Sequence, residues 1–251
     1  MANRPTLAEV RDRGQNNPHL LADPAYARLV VRRVSPYVAW AVVRFTPLGA
    51  DVVTAGAIGS GILAALCLLP GTAAFEIGAV LLLQLAFLLD VADGEVARAR
   101  GTASRRGTYL DLIGHMLQNT SLYASAGVIL IRVSGGAWWA LAIALLAMGF
   151  AHPFGYYAAL QVRGHGEGAG PHGGLRRSTS GGFRRVTFLW NYPASMNLFC
   201  VALLVDAAAQ ISGAIQAPVV VAAFYALFGS ALVIRHLLHA LRLLGHTDWT
   251  T

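Results

Sequence analysis

Four of the twelve acidic residues of this chain fall between positions 90 and 111: Asp90, Asp93, Glu95 and Asp111. On a helix, Asp90 and Asp93 are three residues apart and share a face, and Asp111 and His115 share a face of the following helix. Carboxylates that converge repel one another unless a cation lies among them. Hard oxygen ligands suit Mg²⁺ or Mn²⁺, so the spacing predicts a divalent metal site.

Two glycines and an arginine flank these carboxylates. Gly94 and Gly107 carry no side chain, so a bulky ligand or another backbone can approach closely at both positions. Arg98 follows Gly94 by one helical turn and can offer a forked pair of hydrogen bonds to a phosphate. Metal ligands, glycines and an arginine together indicate a pyrophosphate substrate.

Residues 90–98 have the sequence DVADGEVAR, and residues 107–111 are GTYLD. This pattern resembles the signature of the CDP-alcohol phosphatidyltransferases, which is D-x2-D-G-x2-A-R, a spacer, G-x3-D and x3-D. Seven of its eight fixed positions match. The resemblance implies an enzyme of phospholipid biosynthesis that transfers a substituted phosphate from a CDP-linked donor to an alcohol and releases CMP. CDP-diacylglycerol is the expected donor, because a lipid can enter laterally between membrane spans.

The same resemblance implies roles for individual residues. Asp90, Asp93 and Asp111 would ligate two divalent ions, Mg²⁺ or Mn²⁺, that bridge the pyrophosphate of the donor. The acceptor hydroxyl would then attack phosphorus in line. The family also implies a homodimer. The residues that would line the CDP site are Asp90, Gly94, Ala97, Arg98 and Gly107.

The chain departs from the family pattern at two places. The last aspartate of the signature, a metal ligand and proposed general base, is His115 here. A Pro-Asn-x-x-Thr pattern common at the first span of the family is represented by Asp51 and Thr54, preceded by Ala50. His115 is therefore a candidate base, and the alternative is a buried histidine bonded to a backbone carbonyl.

Two other functions follow from the same residues. Because of His115, a catalytically silent homologue that binds nucleotide or lipid is the main alternative. A prenyltransferase would also use paired aspartates, but the positions of Gly94, Ala97 and Arg98 argue against it.

The composition indicates an integral membrane protein. Hydrophobic residues make up 56% of the chain and charged residues 12%, whereas a soluble domain carries about 25% charged residues. All 19 basic residues are arginines, and they fall between apolar runs. Anionic lipid headgroups therefore explain the net charge of +7 better than nucleic acid does.

The apolar runs predict an all-α fold with six membrane-spanning helices. Each run is long enough to cross the hydrocarbon core, which takes about 20 residues. We expect this bundle to occupy residues 46–251. The predicted spans are residues 51–70, 73–93, 108–132, 136–162, 187–210 and 217–243.

The arginines also predict the orientation of the bundle. With six spans, every arginine except Arg132 lies on the side of the two termini, which the positive-inside rule places in the cytoplasm. The chain is therefore expected in the inner membrane, with its active site at the cytoplasmic face. Arg184 and Arg185, in a loop on that side, are candidates for binding a phosphate-bearing acceptor.

Residues 1–45 are predicted to form a separate cytoplasmic segment. Residues 24–45 carry four arginines among apolar residues, which is typical of an amphipathic helix that lies in the membrane interface. We expect this helix to be interrupted near Ser35 and Pro36, since proline removes a helical hydrogen bond.

Overall fold

A computed structural model describes residues 5–15, 26–139, 141–143, 145–147, 194–234 and 238. Within these residues the chain is helical and contains no strand, which confirms the predicted all-α class. A π-helical turn, Ala27–Val31, leads into α2, and another, Tyr225–Gly229, follows α7. The α-helices are α1 (Leu7–Gln15), α2 (Arg32–Phe45), α3 (Ala50–Leu68), α4 (Ala73–Arg100), α5 (Arg105–Val133), α6 (Ala194–Ile211) and α7 (Val219–Phe224).

Among the described residues, α3 and α4 are each long and apolar enough to cross a membrane. The helix α5 has 29 residues, about 43 Å, and is therefore long enough as well. It is less apolar because its first half carries Asp111, His115, Gln118 and Asn119. The predicted spans at 51–70, 73–93 and 108–132 thus coincide with helices, whereas most of 136–162 lies outside the described residues.

The turn between α4 and α5 places the carboxylates of the two helices at one end of the bundle. Gly101 ends α4 with a φ of 67°, a left-handed conformation that glycine adopts without strain. Ser104, three residues later, caps the start of α5, and its hydroxyl accepts a hydrogen bond from the Gly107 N–H at 3.2 Å. With so short a connection, the last turns of α4 and the first turns of α5 must be neighbours.

Small residues bring α3 against α5. A Cβ atom added at Gly114 would lie 2.7 Å from Ile58 Cγ1, and one added at Gly61 would lie 2.5 Å from Gln118 Oε1. Both distances are below contact, so a side chain at either glycine would force Ile58 or Gln118 to shift. Close packing through small residues is the usual way for membrane helices to associate.

The opposite end of the bundle is held by buried carboxylates. Gln210 Nε2 donates to Glu76 Oε1 at 3.0 Å and to Asp206 Oδ2 at 2.7 Å. Asp206 Oδ1 accepts from the backbone N–H groups of Val220 and Val221, at 2.6 and 3.1 Å. Asp206 on α6 thereby satisfies free donors at the start of α7, and Gln210 links this pair of helices to α4.

The expected interruption at Pro36 is wrong. The helix α2 runs from Arg32 to Phe45 with Pro36 inside it, and the irregular backbone is the π-helical turn Ala27–Val31 instead. Proline leaves the carbonyl of Arg32 without its helical donor. That carbonyl accepts a hydrogen bond from Gln15 Nε2 at 2.7 Å, so the carbonyl has a partner and the helix continues.

Candidate metal centre

The structure brings together three of the side chains that the sequence singled out. His115 Nε2 lies 3.3 Å from Asp111 Oδ1 and 3.5 Å from Asp90 Oδ1. One ligand atom from each of these residues lies within 4.8 Å of the other two. Asp90 belongs to α4, whereas Asp111 and His115 are four residues apart on α5 and share its face.

This donor set fits a divalent cation. Neighbouring ligands in an octahedral Mg²⁺ site lie about 3 Å apart, given metal–oxygen distances of 2.0–2.1 Å. The measured separations of 3.3 and 3.5 Å are close to that value. Two carboxylates suit Mg²⁺ or Mn²⁺, and the imidazole nitrogen is a better ligand for Mn²⁺ than for Mg²⁺. Asp90, Asp111 and His115 are therefore the residues that could hold the ion.

Asp93 lies one turn further along α4 and is held by another helix. Its side chain is buried, and its Oδ2 lies 2.5 Å from the hydroxyl oxygen of Thr54 on α3. The same hydroxyl is 3.1 Å from the carbonyl of Ala50. A hydroxyl has one proton, and the shorter contact indicates that Thr54 donates it to Asp93. Thr54 thus fixes the orientation of a predicted metal ligand.

Asp51, the other residue of the altered first-span pattern, has a different place. Its side chain is half exposed and lies 3.4 Å from the guanidinium of Arg106. An exposed ion pair of this kind contributes little to stability. Of the two positions in that pattern, Thr54 is the one that touches the candidate site.

Arg98 lies over Gly94. A Cβ atom added at Gly94 would be 3.1 Å from Arg98 Nη1, so a side chain at this position would press on the guanidinium. Arg98 Nε donates a hydrogen bond of 2.6 Å to the carbonyl of Gly14. The glycine of the signature therefore gives room to the arginine of the same signature, and the N-terminal segment helps to hold that arginine.

Ala97 and Gly107 are placed by the turn that joins α4 to α5. The carbonyl of Ala97 accepts the Thr102 N–H at 2.8 Å, which closes the end of α4. Among the described residues, a Cβ atom added at Gly107 would have one neighbour within 4 Å, Ser104 Oγ at 3.7 Å, so this part of the chain leaves room beside Gly107. Arg184 and Arg185, the candidate acceptor-binding residues, lie outside the described residues.

Glu95 is a residue of this region to which the sequence analysis gave no role. Its side chain is 1% exposed, and Oε1 accepts hydrogen bonds from Ser35 Oγ at 2.8 Å and Arg32 Nη1 at 3.1 Å. Gln15 Nε2 lies 3.3 Å from the same oxygen. A serine three residues after an arginine, within a helix that mixes arginines with apolar residues, was the available signal for such a partner.

The signature and the geometry agree with what family comparison finds. The family model of the CDP-alcohol phosphatidyltransferases matches residues 48–245, which is most of the chain and includes the whole signature. No curated protein matches the chain at a significant level. The chain belongs to the CDP-alcohol phosphatidyltransferase family.

Proposed function

Given this membership, we propose that the protein transfers the phosphatidyl group of CDP-diacylglycerol to an alcohol and releases CMP. The observation that carries the proposal is the cluster of Asp90, Asp111 and His115, whose ligand atoms lie within 4.8 Å of one another inside the family signature. The family is one of divalent-metal enzymes, and this cluster is the part of the described chain that fits such an ion.

The proposed chemistry is a substitution at phosphorus. A bound divalent cation would neutralise the pyrophosphate and make the phosphorus more electrophilic. Asp90, Asp93 and Asp111 would hold the cation, and the guanidinium of Arg98 would bind a donor phosphate. The hydroxyl oxygen of the acceptor forms the new P–O bond, the bond from phosphorus to CMP breaks, and CMP leaves. We propose that His115 Nε2 stands beside the cation without ligating it and takes the hydroxyl proton, because a nitrogen bound to the ion has no free lone pair to accept one.

The proposal extends to the surroundings of the site. Two apolar helices and the family together indicate a membrane protein. Six apolar runs in the sequence support six spans in all, and the arginine distribution between them supports an inner-membrane protein with its site and both termini in the cytoplasm. A homodimer is supported by the family resemblance. The acceptor is an alcohol of the lipid or water phase, and Arg184 and Arg185 are the residues that would bind its phosphate, where it has one.

One assay tests the function. The purified protein is incubated with CDP-diacylglycerol, Mg²⁺ or Mn²⁺ and a panel of alcohols, including glycerol phosphate, inositol phosphate and serine, and CMP is measured. We expect metal-dependent CMP release with at least one acceptor, and mass spectrometry of the lipid product would identify the headgroup. A protein that binds the donor but releases no CMP with any acceptor would instead be a silent homologue, the alternative that His115 favours.

Thr54→Val is expected to lower the rate of CMP release about 10- to 100-fold, the usual cost of losing a residue that orients a metal ligand. Valine has the shape of threonine but cannot donate to Asp93, which is buried beside it. Thr54→Ser keeps the hydroxyl and should keep most of the rate.

The matched control for this prediction is Thr120→Val on α5. The hydroxyl of Thr120 is buried and has no hydrogen-bond partner in the described part of the chain. Its removal should leave the rate of CMP release near that of the wild type. Equal rates for Thr54→Val and Thr120→Val would show that Asp93 does not depend on Thr54.

A further inference from the structure

The first described helix packs onto the C-terminal end of α4, the helix that carries the signature. Val10 of α1 is 2% exposed and forms a small apolar cluster with Ala39 of α2 and Val96 of α4. At the end of α1, a Cβ atom added at Gly14 would lie 3.2 Å from Glu95 Cβ and 3.3 Å from the Glu95 carbonyl oxygen. The backbone of residue 14 therefore lies directly against α4, at the residue that follows Gly94.

Glu95 is the polar centre of this contact. A buried carboxylate is costly unless charge and hydrogen bonds compensate it. Its Oε1 has three donors, from Ser35 and Arg32 on α2 and from Gln15 at the end of α1. The amide of Gln15 has two protons, and it also donates to the Arg32 carbonyl that Pro36 leaves open. The side chain of Glu95 thus joins both N-terminal helices to α4.

The contact between α1 and α4 also includes Arg98, the arginine of the signature. The Gly14 carbonyl, one residue before Gln15, accepts the 2.6 Å hydrogen bond from Arg98 Nε. Arg98 lies one turn beyond Gly94 on α4, and its Nη1 is the atom nearest to the space over Gly94. Because Nε is held, the direction of the planar guanidinium is fixed before any ligand arrives.

We propose that Glu95 is a positioning residue: it docks the N-terminal helix onto α4 so that the Gly14 carbonyl holds Arg98 ready for the phosphate of the donor. This inference rests on the proposed function, since it assigns Arg98 to the CDP-linked donor. A guanidinium that is already oriented binds a phosphate at a lower entropic cost than one that must be ordered on binding. Glu95 thus acts on donor affinity through Arg98.

Glu95→Ala, in the full-length protein, should raise the KM for CDP-diacylglycerol about threefold to tenfold, the cost of ordering one long side chain on binding. The KM for the acceptor and the kcat should stay within about twofold, because Glu95 contacts α1 and α2 rather than the metal cluster. An unchanged donor KM would overturn the proposal.

A double-mutant cycle separates positioning from general stabilisation. Arg98→Ala should raise the donor KM by itself, and adding Glu95→Ala to it should then have little further effect, since the residue to be positioned is gone. If the two effects multiply instead, Glu95 acts independently of Arg98 and the proposal fails.

Proteolysis tests the docking without any need for turnover. Arg11 and Arg13 are exposed on α1, and trypsin should release an N-terminal tag faster from Glu95→Ala than from wild type, because α1 undocks. An unchanged release rate would contradict the docking role. If the wild type released no CMP with any donor while the tag was released faster, the proposed function would fail but the docking by Glu95 would hold.

Gly14→Ala provides a second variant if Glu95→Ala fails to fold. The added methyl would press on the backbone of Glu95 and move the Gly14 carbonyl away from Arg98. The donor KM should rise as it does for Glu95→Ala. The matched control is Gly78→Ala on α4, where an added Cβ has no neighbour within 4 Å in the described part of the chain. A donor KM that is the same in both glycine variants would overturn the role of the Gly14 carbonyl.

Discussion

Asp90→Asn is expected to lower the rate of CMP release by about 10³-fold or more. A bound cation supplies several kcal/mol of charge stabilisation in the transition state, and each 1.4 kcal/mol or so corresponds to a factor of ten in rate. Asparagine keeps the size of the side chain but removes the charge that would hold the ion. Asp111→Asn should have a similar effect, because both carboxylates lie within reach of one ion beside His115.

Two measurements check this prediction. The rate of CMP release is recorded against Mg²⁺ and Mn²⁺ concentration, and the binding of Mn²⁺ is followed by its electron paramagnetic resonance signal. Both variants should bind Mn²⁺ more weakly than the wild type, and chelation of the metal should abolish the wild-type rate. Full activity of Asp90→Asn at ordinary metal concentration would rule out Asp90 as a ligand.

The matched control is Asp51→Asn. Asp51 lies near the start of α3, its side chain is 49% exposed, and it pairs with Arg106 at 3.4 Å. The loss of such a surface pair should change the rate and the metal dependence very little. A large effect of Asp51→Asn would show that the charge of this end of the bundle, rather than the cluster, controls the reaction.

The juxtaposition of the metal cluster could be predicted from the sequence because it depends on local rules. The i, i+3 and i, i+4 spacings place the carboxylates on helix faces, and Gly101 and Ser104 set a short turn between the two helices. The end of α4 was less well predicted. Hydropathy ended the membrane span at residue 93, whereas the helix itself continues to Arg100, since a helix does not have to end where its apolar residues do.

The contacts between distant parts of the chain could not be predicted in the same way. Gln15 and Glu95 are 80 residues apart, and no local pattern pairs them. Pro36 was expected to interrupt its helix, but Gln15 bonds to the carbonyl that the proline leaves open. The start of α1 did have a local signal: the Thr6 N–H donates to Glu9 Oε2 at 2.7 Å, a capping box, and this bond lowers the pKa of Glu9.

The polar contacts at the end of the bundle opposite the metal cluster could not be predicted from local patterns either. Glu76 and Asp206 are both fully buried, and Gln210 bonds to each of them. Periodicity places each acid on its own helix, but their pairing depends on α4 and α6 being neighbours. Burial of a carboxylate in an apolar span marks it as partnered, without naming the partner.

His115→Ala is expected to lower the rate of CMP release about 10²- to 10⁴-fold, the usual contribution of a positioned general base. The geometry is consistent with two uses of His115, as a metal ligand or as a general base. Its Nε2 lies 3.3 Å from Asp111 and 3.5 Å from Asp90, close enough to share their ion or to stand beside it. Alanine removes both uses, so this variant alone does not separate a base from a ligand.

His115→Asp separates the two roles. Aspartate restores the residue of the family signature, and its oxygen suits Mg²⁺ better than an imidazole nitrogen does. We expect this variant to retain at least part of the activity that alanine loses. If His115 is a metal ligand, the ratio of the Mg²⁺-supported rate to the Mn²⁺-supported rate should rise in His115→Asp. If it is a base alone, that ratio should stay at the wild-type value.

Binding measurements complete the comparison. For a ligand, Mn²⁺ affinity should fall in His115→Ala together with the rate, whereas for a base the rate should fall while Mn²⁺ affinity is kept. Wild type and His115→Ala with equal rates and equal Mn²⁺ affinity would show that His115 is a structural residue. In that case the proton of the acceptor hydroxyl would have to pass to another group, and the nearest carboxylates, Asp111 and Asp90, would be the first to test.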